Sequence, residues 1–231
     1  MQKTSDYQTL LYACTQEGCP LCRLVQESTQ RYLDVWKYDL FTDVEVREEL
    51  RRSQGFCHDH TWQLVRMGAT LQLAQAYRDI LSDSAEQLQA SAEVPAPQSG
   101  GLLRRFFETK RERLPCPACS QQEQTEIRLV HTLRKALLDP AFYQQFAASQ
   151  GLCLDHFRLA CELKMPDTPG EWLPLLRKAQ LACLQRLDAQ LSELIRKHDY
   201  RFKDEAKGPE MVSWKRAAGL VAGEEFLTES P

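Results

Sequence analysis

Cys19-Pro20-Leu21-Cys22, followed after about 34 residues by Gly55-Phe56-Cys57-His58-Asp59-His60, decides how this chain is read, because the same pattern occurs again. The second copy is Cys116-Pro117-Ala118-Cys119 and then Gly151-Leu152-Cys153-Leu154-Asp155-His156. The cysteine pairs are offset by 97 positions and the Cys/His pairs by 96, so the copies stay in register with one residue deleted. Each copy supplies three thiols and one imidazole, a full tetrahedral ligand set for zinc. The expected ligands are Cys19, Cys22, Cys57 and His60 in the first half and Cys116, Cys119, Cys153 and His156 in the second. The expectation is one closed site inside each half.

Outward from these motifs the pattern is helical. Tyr7, Leu10, Leu11 and Cys14 fall at i, i+3, i+4 and i+7, the apolar face of a helix ending near Gly18. Pro20 suits the first turn of a second helix carrying Cys22, Val25, Thr29, Leu33 and Trp36. A third helix is predicted from about Asp43 to Gln54 with Gly55 as its C-terminal cap. Cys57 and His60 then open a long fourth helix running through Trp62 and Leu73 toward Leu88. The second half repeats the plan: Ile127, Val130, Leu133, Leu137 and Leu138 stripe one helix, Asp139-Pro140 starts the next, and Ser149-Gln150-Gly151 repeats Ser53-Gln54-Gly55. Cys14 and Cys183 fall on apolar stripes and Cys161 aligns with Val65 at the repeat offset of 96, so all three read as small core residues. No stretch alternates strictly as strands do, so the fold class expected is all-α, two pseudo-repeated helical halves each closed by a Cys3His metal site.

The halves span 1–90 and 102–207, with a linker over 91–101 whose Pro, Ala, Ser and Gly content favours no packed element, and a C-terminal extension over 208–231. Arg104 to Arg113 is basic with two phenylalanines and reads as a solvated helix. Over all 231 residues the net charge is −3, which advertises neither nucleic acid nor an anionic membrane. The N-terminus shows no apolar signal segment, and no run approaches the roughly 20 apolar residues of a membrane span. A soluble cytoplasmic protein is expected. Nine cysteines, an odd number, fit metal ligation in a reducing compartment better than a disulfide framework.

Four chemistries compete for the paired motifs. Closed structural zinc, two ions per chain, ranks first because four protein ligands leave no open coordination position. Two [4Fe–4S] clusters rank second, since clusters usually take four thiolates and each copy offers three. A thiol/disulfide role would need a βαβ context that is not visible, and catalytic zinc of the deaminase type would need an H-x-E that the chain lacks. C-type haem is excluded because Arg23 and Ser120 stand where the axial histidine belongs. Asp59 and Asp155, each preceding a ligand histidine, are candidates to hold the second ring nitrogen of the imidazole, or to favour the first helical turn by charge. No catalytic constellation is recognised.

Outside the motifs, Lys197-His198-Asp199-Tyr200-Arg201-Phe202 packs charge and aromatic rings densely, with Trp214 after it. This block is the candidate partner-binding surface; helix-end packing with ordinary ion pairs is the competing reading. Paired C-P-x-C and G-[FL]-C-x-x-H motifs, followed by Lys197 to Phe202 and a tryptophan, resemble the bacterial DUF6062 family, over roughly Cys19 to Trp214. The resemblance implies that the Lys197–Phe202 block is a family feature and supplies no substrate. The expected function is a metal-stabilised binding or adaptor protein with an unidentified protein partner; the alternative is an iron–sulfur electron-transfer protein.

Overall fold

The computed structural model describes residues 4–92, 114–164, 170–202 and 204–225. Every regular element among them is helical: α1 (Ser5–Ala13), α2 (Pro20–Tyr38), α3 (Val44–Arg52), α4 (His58–Arg66), α5 (Thr70–Ala92), α6 (Pro117–Ala136), α7 (Pro140–Ala148), α8 (Leu154–Glu162), α9 (Trp172–Lys197) and α10 (Ser213–Ala222), with short 3-10 turns at Leu40–Thr42, Tyr200–Phe202 and Pro209–Val212. The all-α class read from the sequence holds. Most of the expected linker and the basic Arg104–Arg113 segment lie outside the described residues.

Local sequence explains where the helices begin. Thr4 accepts from the Tyr7 N–H at the start of α1, Asp43 from Glu45 and Val46 at α3, and Asp139 from Ala141 at α7, each satisfying a backbone donor that the first turn leaves unpaired. Proline occupies the first position of α2, α6 and α7, where its missing N–H costs nothing. Ends differ from expectation in two places. The C-cap of α3 is Ser53, and Gln54 after it takes the left-handed region at φ 58°, with Gly55 at φ 94° following. Gln54 donates to the Arg51 carbonyl and Gly55 to that of Leu50, the Schellman pattern. The long fourth helix is in fact two, α4 and α5. Gly68 takes φ 70°, and Gly68 and Ala69 bond back to Val65 and Leu64, so the same device that ends α3 breaks an otherwise continuous apolar stripe.

Two compact units form. One comprises Met1–Ser28 and Glu123–Leu227. Its core is built from Leu10, Leu21, Leu133, Leu137, Phe142, Phe146, Leu152 and Leu176, all essentially solvent-free. The Tyr7 hydroxyl donates to Asp139 at 2.7 Å inside this unit, tying α1 to the start of α7. The other unit comprises Thr29–Gln122 among its described parts, with a core of Leu33, Trp36, Leu50, Phe56, Leu64 and Ala69. There Trp36 and Phe56 meet edge to face at 5.0 Å between ring centroids. The sequence repeat and the compact units therefore divide the chain differently. The unit boundary falls inside α2 and inside α6, so each of these helices starts in one unit and continues in the other.

Candidate metal centres

All eight expected ligands assemble into two groups, but not by halves. Cys19 and Cys22 meet Cys153 and His156; Cys57 and His60 meet Cys116 and Cys119. Each C-P-x-C pair is completed by the Cys/His pair of the other half, which corrects the expectation that each site closes within its own repeat. Helix length supplies the reason. At 1.5 Å per residue α2, which ends at Tyr38, carries the chain about 24 Å away from Cys22, and the nine-residue α3 returns it only about 13 Å before Cys57. The 20-residue α6 and nine-residue α7 impose the same shortfall between Cys119 and Cys153.

Each ligand sits at a helix N-terminus, where the backbone dipoles favour thiolate over thiol. Cys57 and Cys153 are the N-cap residues of α4 and α8, and the Cys153 sulfur accepts from the His156 N–H at 3.5 Å. Cys19 and Cys116 immediately precede α2 and α6, and Cys22 and Cys119 lie in the first turns. The turns before the N-caps are fixed in parallel ways. The Ser53 hydroxyl donates to the Leu50 and Gly55 carbonyls, whereas the Ser149 hydroxyl donates to Phe146 O and accepts from the Gly151 N–H. Gly151 takes φ 79°, and a Cβ there would lie 2.8 Å from Gln180 Oε1. Gln180 is buried on α9 and grips Leu152 with both ends of its amide, accepting from the N–H at 2.9 Å and donating to the carbonyl at 2.8 Å. This clamp, one residue before Cys153, was not legible in the sequence.

In the first centre the Nδ1 atom of His156 lies 3.1 Å from Cys153 Sγ, 3.3 Å from Cys22 Sγ and 3.6 Å from Cys19 Sγ, and the Cys22 and Cys153 sulfurs are 3.6 Å apart. In the second, His60 Nδ1 lies 3.1, 3.5 and 3.6 Å from the sulfurs of Cys57, Cys119 and Cys116, and Cys57 and Cys119 are 3.7 Å apart. All four ligand atoms of each group lie within 4.8 Å of one another. Each group can hold a metal ion.

The surroundings differ. Cys19, Cys22, Cys153 and His156 are all buried; in the second group only His60 is, and the three cysteines are half-buried. Glu126 on α6 faces the free Nε2 of His156 at 3.7 Å, an ion-pair distance. Burial depresses the His156 imidazole, but the Cys153 and Cys22 sulfurs and Glu126 outweigh it and carry the group up to about 11. Burial alone lowers His60, with Asp59 opposing weakly. Burial pushes the Cys19 thiol well up, while hydrogen bonds from Cys19 and Cys22 hold Cys153 far down as thiolate. The Glu224 carboxylate, just beyond α10, accepts from the Cys19 N–H at 3.0 Å. Gln26 on α2 donates to the carbonyls of Glu224 and Glu225, holding that segment over the centre.

Asp59 and Asp155 do not take the outer role considered for them. Both are exposed at 85% and 70%, Asp59 against the ring of His58 and Asp155 against Arg158, because a residue beside the ligand on a helix points away from it. Glu126 takes that place at His156, from a helix no local pattern connects to it. Cys14 and Cys183 are buried and Cys161 half-buried, none within a ligand group.

The Lys197–Phe202 block is largely spent on itself. Lys197 bonds to Glu210 at 2.9 Å and to the Ala206 carbonyl, Asp199 pairs with Arg201, and Phe202 lies beneath the guanidinium groups of Arg196 and Arg201. His198 and Tyr200 are left facing solvent, Tyr200 at 81% exposure. Among the described residues no helix is long and apolar enough to cross a membrane.

The model of a family of unknown function, DUF6062, matches residues 12–225. Comparison with curated proteins and with solved structures finds no match.

Proposed function

The chain belongs to the DUF6062 family, and we propose that it is a zinc-stabilised helical binding protein whose two Cys3His centres set its fold and whose surface docks a protein partner. The ligand spacing carries this reading. A tetrahedral ion with bonds of about 2.3 Å to sulfur and about 2.0–2.1 Å to nitrogen has edges of about 3.8 Å between sulfurs and about 3.6 Å between sulfur and nitrogen. The distances found, 3.6–3.7 Å for one sulfur pair in each group and 3.1–3.6 Å from sulfur to nitrogen, lie at or below these edges and leave room for one small ion per group. A four-iron cluster puts each ligand on a different iron and needs the set spread wider. Four protein ligands also leave no position for substrate, which supports a structural ion over a catalytic one. Nine free thiols among the described residues suit a reducing compartment such as the cytoplasm.

Elemental analysis of protein purified without oxygen tests this: two zinc equivalents per chain and a colourless solution are expected. Iron with visible absorption would replace the reading with the electron-transfer one. The docking role is supported by His198, Tyr200 and Trp214, which stand exposed on the Met1–Ser28/Glu123–Leu227 unit.

A further inference from the structure

We propose that the two centres have unequal duties: the group of Cys57, His60, Cys116 and Cys119 is the exchangeable one, where a competing chelator or a soft electrophile reaches the protein's thiolates, while the group of Cys19, Cys22, Cys153 and His156 keeps its ion. This rests on the metal reading above and adds to it a division of labour that identical motifs do not imply.

Three independent observations support it. The first is access. Cys19, Cys22 and Cys153 are exposed by 3%, 7% and 2%, whereas Cys57, Cys116 and Cys119 are all half-buried. The recess beside Cys19 and Cys153 offers about 20 Å³, room for about one water. An incoming ligand must touch sulfur to displace it, and only the second group offers that contact.

The second is support of the histidine. Glu126 faces Nε2 of His156, so the ring stays oriented with Nδ1 toward the sulfurs when a ligand bond opens. Among the described residues no carboxylate stands at ion-pair distance from His60, so its ring lacks the support that Glu126 gives His156.

The third is the strap. Glu224 accepts from the Cys19 N–H, and a Cβ added at Gly18 or Gly219 would collide with its carboxylate at 2.5 and 2.8 Å. A Cβ at Gly223 would come within 3.9 Å of Cys22 Sγ. The chain thus passes within van der Waals contact of Cys22, in a turn whose positive φ of 82° at Gly223 favours glycine, and Gln26 fastens it there.

The experiment mixes zinc-loaded full-length protein with excess EDTA, follows zinc release, and in parallel traps exposed thiols with N-ethylmaleimide, located by peptide mass. Two phases of one equivalent each are expected, separated at least about tenfold, the scale on which outer partners tune metal sites. Cys57, Cys116 and Cys119 should be alkylated in the fast phase. Glu224→Ala should accelerate the slow phase and leave the fast one unchanged. Release in a single phase, or alkylation of Cys19, Cys22 and Cys153 first, overturns the proposal while leaving the two-zinc reading standing. Protein that carries no zinc at the outset overturns both.

Discussion

Cys22 and Cys153 are 131 positions apart in the chain and 3.6 Å apart at their sulfurs. One Cys3His group therefore joins the first C-P-x-C pair to the second Cys/His pair. Replacing Cys22 by serine should cut metal content from two equivalents to one and expose Cys153 to alkylation, leaving Cys57 as protected as before. Structural zinc contributes on the order of 10 kcal/mol, comparable with a whole domain's net stability, so the Met1–Ser28/Glu123–Leu227 unit should lose most of its cooperative unfolding. Exposure of Cys57 instead of Cys153 would mean that the sites close within the sequence halves after all.

Gln180→Ala should destabilise by about 2–6 kcal/mol. It strands a buried N–H and a buried carbonyl of Leu152, each costing about 1–3 kcal/mol when unpaired. Urea unfolding measures the loss. A change under about 1 kcal/mol would show that water takes over both bonds.

Two glycines with positive φ separate backbone strain from crowding. Gly68→Ala meets nothing within 4 Å and should cost only the left-handed penalty, about 1 kcal/mol. Gly151→Ala adds a collision with Gln180 and Cys183 and should cost clearly more, by about 1–3 kcal/mol. Equal losses in thermal melts would contradict the packing described around Cys153.

Glu210 gives a pH signature. Its carboxyl is lowered from 4.5 to about 2, first by Lys197 and then by the Gly208 N–H. A carboxyl depressed by folding stabilises fully above its unfolded value. That stabilisation fades as pH falls from 4.5 toward 2. The gap in melting temperature between the parent protein and Glu210→Gln should be constant near neutrality and shrink across this window. A gap that widens on acidification would reverse the assignment.

The double variant His198→Ala/Tyr200→Ala should retain two metal equivalents and lose no more than about 0.5 kcal/mol, because both side chains face solvent. Loss of partner capture with stability intact would place the docking surface there. A large drop in melting temperature would show that the block is structural.

The eight Cys and His residues that group together, the helical class and most helix starts were legible because each depends on residues close in sequence: proline in a first turn, aspartate or threonine at a cap, a cysteine and a histidine three apart. Partition of the ligands was not legible from spacing, since either pairing completes a Cys3His set. The clue lay in the lengths of α2 and α3, where a nine-residue helix cannot retrace a 19-residue one. Gln180, Glu126 and Glu224 reach their places through tertiary packing, and no periodicity ties them to a cysteine. The split between α4 and α5 rests on Gly68 alone, and a single glycine within a helical stripe is an ambiguous signal.

The crossed partition also imposes an order on synthesis. Cys57 and His60 wait only for Cys119 to leave the ribosome, a separation of 62 positions between the two cysteines. Cys19 and Cys22 are made earlier still and must remain reduced and unclaimed until His156 follows, 137 positions after Cys19. Among the eight candidate ligands the first translated are the last to be completed, so the nascent chain passes through a stage with one complete ligand set and one open pair of sulfurs. Glu224, which follows His156 in the chain, then closes over that pair.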